Sequence, residues 1–296
     1  MASVASDVPK RTERFAASGN VTLAADVWGT PQDAPSVVLL HGGGQTRHAW
    51  QGTGETLARA GWHVISLDLR GHGDSDWADD EDYSMSAFAG DARCVAESLP
   101  QRPVLVGASI GGLSAMLAIG ETEHAIASGI VLVDIAARVE KSGAEKILGF
   151  MRACPDGFES LEQAADAIAQ YLPHRKRPRD TSGLSKNLRL HPDGRYRWHW
   201  DPVFAEMRSQ RTQADRFPER TAAAASALDV PTLLVRGRMS DLLSEDGAKH
   251  FLGLAPHAEF VDVSGAGHMV AGDRNEVFGE AVCGFLEKLP GAPERG

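Results

Sequence analysis

The fold is decided by the stretch Pro103-Val104-Leu105-Val106-Gly107-Ala108-Ser109-Ile110-Gly111-Gly112. Its first four residues are an apolar run typical of a buried strand, and the small residues after position 112 favour a helix. The stretch therefore predicts a strand, a sharp turn and a helix, with Ser109 at the apex of the turn. In so tight a turn a side chain two residues before or after the serine would clash, which explains Gly107 and Gly111. Because the chain has 31 glycines, a Gly-x-Ser-x-Gly pattern alone is weak evidence, and the rest of the chain has to support it.

Apolar strands and helices alternate on both sides of this stretch. Strands are predicted at residues 36–40, 62–67, 129–134, 231–237 and 259–263, after an antiparallel hairpin at residues 12–18 and 21–28. Wholly apolar strands that alternate with helices are typical of a parallel sheet covered on both faces. The sequence therefore predicts an α/β fold with a mostly parallel, eight-stranded sheet and helices on both faces.

The alternation stops between residues 136 and 215. Helices are predicted at residues 144–154 and 161–171, no strand is evident, and the remainder holds a proline- and arginine-rich run and an aromatic run. We interpret residues 136–215 as a helical cap inserted into one α/β core, which consists of residues 1–135 and 216–296.

Composition argues against several classes of protein. A hydrophobic content of 43% and a charged content of 24% are ordinary for a globular protein. The net charge of −10 argues against nucleic-acid binding. Cys94, Cys154 and Cys283 lie far apart, which argues against a disulfide framework and fits a cytoplasmic protein.

The expected partner is a small-molecule substrate. Residues 1–14 lack the apolar core of a signal peptide, and no apolar segment is long enough to predict a membrane span. Histidines and acids are not clustered as metal ligands are, so we expect no metal, and we expect no cofactor. Whether the chain forms a homodimer remains open.

The carboxyl ends of parallel strands meet at one edge of a sheet, where open α/β proteins bind ligands. That edge collects a short set of polar and glycine residues: His41, Gly42, Gly43, Gly44, Asp68, Ser109, Asp134, Asp241 and His268. A serine hydroxyl becomes an effective nucleophile when a base takes its proton, and an imidazole base needs a carboxylate that orients it. The set therefore favours nucleophilic catalysis by Ser109.

Five motifs, in this order, resemble the α/β-hydrolase superfamily, specifically its capped, esterase-like members, which are also akin to cofactor-free haloperoxidases and epoxide hydrolases. They are His-Gly-Gly-Gly at 41–44, Asp-Leu-Arg-Gly-His-Gly-Asp-Ser at 68–75, the serine turn at 107–111, Arg-Gly-Arg-Met-Ser-Asp at 236–241 and Gly-Ala-Gly-His at 265–268. The resemblance covers nearly the whole chain outside the cap.

The resemblance implies a catalytic triad. Ser109 would be the nucleophile and His268 the base. Asp241 is the position that the resemblance favours for the acid. Asp134 is the alternative, because some members of the superfamily place the acid after the preceding strand.

The resemblance also implies an oxyanion hole and a pocket. The hole would consist of the backbone N–H groups of Gly43 and Ile110. We expect an apolar pocket around the serine with five residues in its wall: Gly44, Trp198, His199, Trp200 and Phe204. Alternatively, the aromatic side chains of the cap only pin the cap onto the core.

The expected function is hydrolysis of a carboxylic ester or lactone of a small, partly apolar molecule through an acyl-enzyme. Epoxide hydrolases of the superfamily carry an aspartate where this chain has Ser109, which disfavours epoxide opening. Two alternatives remain. One is a cofactor-free perhydrolase or haloperoxidase-like enzyme with the same triad, and the other is a small-molecule receptor on the same fold.

Overall fold

A computed structural model of the protein describes residues 8–31, 34–171, 177, 180–206, 216–268 and 275–293. The end of the expected cap, at residue 215, and most of its proline- and arginine-rich run lie outside these ranges. None of the helices within them has the length and apolar character that crossing a membrane would require.

An eight-stranded sheet with the order β1-β2-β4-β3-β5-β6-β9-β10 forms the centre of the molecule. The chain enters it through an antiparallel hairpin, and β2 also runs antiparallel to β4, whereas the pairs from β4 to β10 are parallel. The predicted mostly parallel sheet is confirmed. Its strands are β1 (Lys10–Ala16), β2 (Thr22–Trp28), β3 (Ser36–Leu40), β4 (His63–Leu67), β5 (Val104–Ala108), β6 (Gly129–Val133), β9 (Thr232–Gly237) and β10 (Glu259–Val263).

Helices cover both faces of this sheet. Successive side chains of a strand point to opposite faces, so the apolar strands contribute to one apolar cluster on each face. In β3, Val38 and Leu40 belong to one apolar cluster and Val37 and Leu39 to the other. The first cluster is completed by α2 (Met85–Ser98), α3 (Ile110–Gly120), α7 (Phe217–Ser226) and α8 (Glu245–Leu254), and the second by α1 (Gln51–Arg59) and α9 (Asn275–Leu286).

The insertion between β6 and β9 contains, in its described part, α4 (Lys141–Arg152), α5 (Leu161–Tyr171), a ribbon of β7 (Leu188–Leu190) and β8 (Tyr196–Trp198), and α6 (Pro202–Glu206). The expectation that this segment holds no strand is wrong, because β7 and β8 pair antiparallel. Strands of three residues are too short to show an alternating pattern. The ribbon turns at Gly194, whose φ is +81°, and it packs against Phe158 of the insertion.

Hydrogen bonds fix the insertion to the loop that follows β4. The Tyr83 hydroxyl donates to Asp201 at 2.6 Å, and the Asp201 amide donates to the Gly71 carbonyl at 2.8 Å. Next to them, the Gly73 amide donates to Nδ1 of His199 at 2.7 Å. The segment that contains Trp200 and Phe204 is thereby held over the carboxyl edge of the sheet.

Candidate active site

The turn between β5 and α3 holds Ser109 in a strained backbone conformation, with φ +50° and ψ −121°. A Cβ atom on Gly107 would lie 2.5 Å from the backbone carbon of Gly111, and one on Gly111 would lie 2.5 Å from the Leu40 carbonyl oxygen. Both distances are far shorter than real contacts. The glycines of the turn are therefore needed for the reason that the sequence indicated.

The Ser109 side chain does not stabilise the helix that follows it. Over residues 109–120, all of which the structure describes, the Ser109 hydroxyl caps none of the helix amides, although serine is a favoured capping residue. The Ile110 amide lies in the first turn of α3, at the end where helix amides have no partner within the helix and attract negative charge. Ser109 therefore lies directly before the N-terminus of α3, next to an amide that has no partner within the helix.

The loop after β3 passes close to this serine. A Cβ atom on Gly42 would lie 3.3 Å from Ser109 Cβ. The Gly42 amide donates to Gln45 Oε1 at 2.9 Å, and the Gly44 amide donates to His72 Nε2 at 3.1 Å. The amides on either side of Gly43 are thus used to hold the loop.

Two buried histidines hold this loop in their neutral form. His41 Nε2 accepts from the Leu69 amide at 3.0 Å, so its hydrogen is on Nδ1, which donates to the Gly42 carbonyl at 2.8 Å. His72 Nδ1 likewise donates to the Arg70 carbonyl at 2.9 Å, because Nε2 accepts from Gly44. Burial lowers the pKa of His41 to about 4 and that of His72 to about 3.

A third buried histidine, His199, belongs to the insertion. Burial lowers its pKa well below the usual value, and its ring lies 5.8 Å from that of His72. Since Nδ1 of His199 accepts from the Gly73 amide, the side chain anchors the insertion to the core. Its expected contact with substrate stays a prediction.

His268 pairs with Asp134. Nδ1 of His268 lies 2.8 Å from Asp134 Oδ2, and the carboxylate is fully buried. Because a carboxylate only accepts hydrogen bonds, the hydrogen of the neutral ring is on Nδ1, and Nε2 carries the lone pair of a base.

The prediction that Asp241 orients His268 is therefore wrong. Asp241 instead pairs with Lys146 of α4 at 2.8 Å, and its side chain is 48% exposed. The physical reason is the distance from the strand ends. Asp134 directly follows β6, with φ +52°, whereas Asp241 lies four residues beyond the end of β9, where its side chain reaches Lys146 of α4.

Two further groups hold the Asp134 carboxylate. The Gly237 amide donates to Oδ1 at 2.9 Å, and the Ser240 hydroxyl donates to Oδ2. Sequence reasoning missed Ser240. The only signal in the sequence is its place in the loop after β9, next to Asp241.

The aromatic residues expected in the pocket lie against the glycine loop. A Cβ atom on Gly43 would lie 3.4 Å from the ring of Phe204, and one on Gly44 would lie 3.3 Å from the ring of Trp200. Trp198 stacks on Trp200 with ring centroids 4.7 Å apart. Phe204 is buried and also meets the rings of three core residues, His72, Tyr83 and Phe88.

These contacts show that Phe204 and Trp200 pin the insertion onto the core, and they also place both rings beside the candidate oxyanion loop. Met151 of α4, which sequence reasoning missed, reaches the same place, with its sulfur 3.6 Å from a Cβ atom on Gly44.

Comparisons with known proteins agree with this fold. The family model described as "alpha/beta hydrolase fold" matches residues 35–274. An esterase from Mycobacterium tuberculosis is 28% identical over 275 residues, which cover 90% of this chain and 86% of that protein. A 3-hydroxybutyrate-oligomer hydrolase from Cupriavidus necator is 24% identical over 261 residues, 83% of this chain and 86% of that protein.

Among solved structures, an E-2-(acetamidomethylene)succinate hydrolase has the same fold, with a TM-score of 0.79 and 21% identity over 94% of this chain and 100% of that one. The chain belongs to the α/β-hydrolase fold family. The resemblance and the fold class that the sequence indicated are confirmed, and the named relatives support an ester-cleaving hydrolase.

Proposed function

We propose that this protein is a serine hydrolase that cleaves a carboxylic ester or lactone through an acyl-enzyme, with Ser109, His268 and Asp134 as its triad. The observation that carries the proposal is the contact of His268 with the buried Asp134 carboxylate at the edge of the sheet where the strained Ser109 turn lies. The named relatives, one an esterase and the other a 3-hydroxybutyrate-oligomer hydrolase, support the same reaction class.

In the first half of the proposed reaction, His268 Nε2 takes the proton of Ser109 as the serine oxygen attacks the ester carbonyl. Asp134 stabilises the imidazolium that forms. The negative charge on the former carbonyl oxygen is bound by the amides of Gly43 and Ile110, and the latter adds the field of the α3 N-terminus. The imidazolium then protonates the departing alkoxide.

In the second half, the same groups act on water. His268 takes a proton from a water molecule, which attacks the acyl-serine, and the imidazolium returns a proton to the Ser109 oxygen as the carboxylic acid leaves. The loop with Gly43 must keep its place through both halves. The neutral imidazoles of His41 and His72 support it, because each bonds to the backbone of this loop or of its neighbour.

The aromatic rings beside the glycine loop support a small, partly apolar substrate. Phe204 and Trp200 lie on the loop that would bind the oxyanion, so the part of the substrate nearest the carbonyl meets aromatic and thioether surface. A bulky acyl chain would have to displace rings that also hold the insertion in place.

The proposal is tested by labelling the protein with a fluorophosphonate, mapping the label by peptide mass spectrometry, and measuring hydrolysis of p-nitrophenyl acetate and longer-chain esters. We expect the label on Ser109, multiple turnovers, and a preference for short acyl chains. Ser109→Ala should lose both the label and turnover.

Ser114→Ala is the matched control, because Ser114 lies in the same helix with its hydroxyl bonded to the Ile110 carbonyl at 2.6 Å. Ser114→Ala should keep both the fluorophosphonate label and ester turnover. A single burst without turnover would contradict a hydrolase and favour a receptor, and substantial esterase activity in Ser109→Ala would contradict the nucleophile.

A further inference from the structure

Ser240 contacts the same carboxylate oxygen as the base. Its hydroxyl and Nδ1 of His268 both bond to Asp134 Oδ2, while the Gly237 amide takes Oδ1. Two oxygens of one carboxylate are thus held by three groups, and only one of them is the base. The other two come from the loop at the end of β9.

The hydrogen of the Ser240 hydroxyl is committed to Asp134. A serine hydroxyl has one hydrogen to donate and two lone pairs to accept with. The amides of Leu242 and Leu243 donate to the Ser240 oxygen at 3.1 and 3.2 Å, so both lone pairs are used. The remaining hydrogen points at Asp134 Oδ2.

The loop that carries this hydroxyl is itself anchored. The Ser240 amide donates to the Gly237 carbonyl at 2.9 Å, and the side chains of Leu242 and Leu243 are buried. The position of the hydroxyl is therefore set by the core and not by solvent.

We propose that Ser240 is a positioning residue that fixes the plane of the Asp134 carboxylate, so that Oδ2 faces His268 Nδ1. This inference rests on the proposed function, since it assigns Ser240 a role in that triad. Without the hydroxyl, Asp134 keeps the Gly237 amide on Oδ1 and the His268 ring on Oδ2, and the His268 ring then has to set the angle about the Cβ–Cγ bond instead of being set by it. Ser240 acts through Asp134 and has no need to touch substrate.

The test uses a matched pair of substitutions. Ser240→Thr keeps the hydroxyl, and Ser240→Val has the same shape without it. We expect kcat for p-nitrophenyl acetate to fall about 10- to 100-fold in Ser240→Val and Ser240→Ala, the effect of losing one hydrogen bond to a charged group. Ser240→Thr should stay within about threefold of the unsubstituted protein, and KM should change little in all three.

Two readouts distinguish a positioning role of Ser240 from a general contribution to the stability of the protein. In an Asp134→Asn background, adding Ser240→Ala should leave kcat unchanged, because the residue through which Ser240 acts is already lost. The strongly deshielded proton on His268 Nδ1, observed by proton NMR, should disappear or broaden in Ser240→Val and persist in Ser240→Thr.

The inference is overturned if Ser240→Val keeps both kcat and the Nδ1 proton signal, or if Ser240→Ala lowers kcat equally with and without Asp134. Failure of the proposed function gives a different pattern, namely turnover that survives Ser109→Ala or a single burst without turnover. The Nδ1 proton signal still tests Ser240 in that case, since it reports on the His268–Asp134 contact without any substrate.

Discussion

His72 Nε2 accepts the hydrogen bond of the Gly44 amide at 3.1 Å, while its Nδ1 donates to the Arg70 carbonyl. One imidazole thus joins the glycine loop after β3 to the loop after β4. Burial lowers the pKa of His72 to about 3, so the ring is neutral and able to accept at neutral pH. The Gly44 amide, which follows the candidate oxyanion donor Gly43, has this lone pair of His72 Nε2 as its hydrogen-bond acceptor.

Substituting His72 in two ways should separate its two hydrogen bonds. A Gln side chain can place an acceptor near the position of Nε2, whereas an Asn side chain can replace only the Nδ1 donor. We expect His72→Asn to lower kcat for p-nitrophenyl acetate by about 10-fold or more, because an unpaired buried Gly44 amide frees the loop. His72→Gln should retain most of kcat.

Thermal unfolding is the control for this pair, since both variants lose one buried hydrogen bond and should be destabilised alike. If kcat falls equally in the two variants, in step with stability, His72 has no specific link to the oxyanion loop.

The buried histidines should make stability depend on pH. The pKa values of His41 and His72 are lowered by burial to about 4 and about 3, whereas the unfolded chain titrates near 6.5, so the unfolded state binds more protons below that pH. Their contribution is fully present above pH 6.5 and is lost as the pH falls towards their folded-state values. Each should remove about 1.4 kcal/mol of unfolding free energy per pH unit once the pH is well below 6.5.

Urea unfolding at pH 7.5, 6 and 5 measures this dependence above the range where exposed carboxylates titrate. In His72→Gln the free energy of unfolding should fall less steeply as the pH is lowered, because one proton fewer is bound on unfolding. A free energy of unfolding that stays constant from pH 7.5 to 5 would show that these rings do not stay neutral in the folded protein.

The two candidate acids should differ strongly when each is neutralised. We expect Asp134→Asn to lower kcat by about 10⁴-fold, because the amide no longer holds His268 in the required tautomer. Asp241→Asn removes a half-exposed pair with Lys146, worth about 1 kcal/mol or less, and a charge that acts on His268 through space without bonding to it, so it should change kcat by less than about threefold. Steady-state hydrolysis of p-nitrophenyl acetate by both variants shows which carboxylate is the acid of the triad. A larger loss of kcat in Asp241→Asn than in Asp134→Asn would restore Asp241 as that acid.

The sequence predicted the sheet well because its inner strands are buried on both faces. A segment such as residues 129–133 is apolar at every position, which few other structures require. The Ser109 turn was also visible, since the glycines that it needs leave a pattern in the sequence.

The acid could not be chosen in the same way. Asp134 and Asp241 both follow parallel strands at the same edge, and the direction in which each loop turns depends on packing that the sequence does not display. The closeness of Asp134 to the end of its strand was the available signal. The bonds of His72 to Gly44 and of Ser240 to Asp134 join residues far apart in the chain, and they appear only once the loops are packed.

The position of β10 at the edge of the sheet affects when the site can form during synthesis. The serine and the carboxylate follow β5 and β6, whereas the base follows β10, which pairs with β9 at the far edge. A ribosome therefore releases Ser109 long before residue 268 has been made. In the proposed mechanism the growing chain carries a nucleophile with no base, and it becomes reactive towards esters only when its last strand is in place.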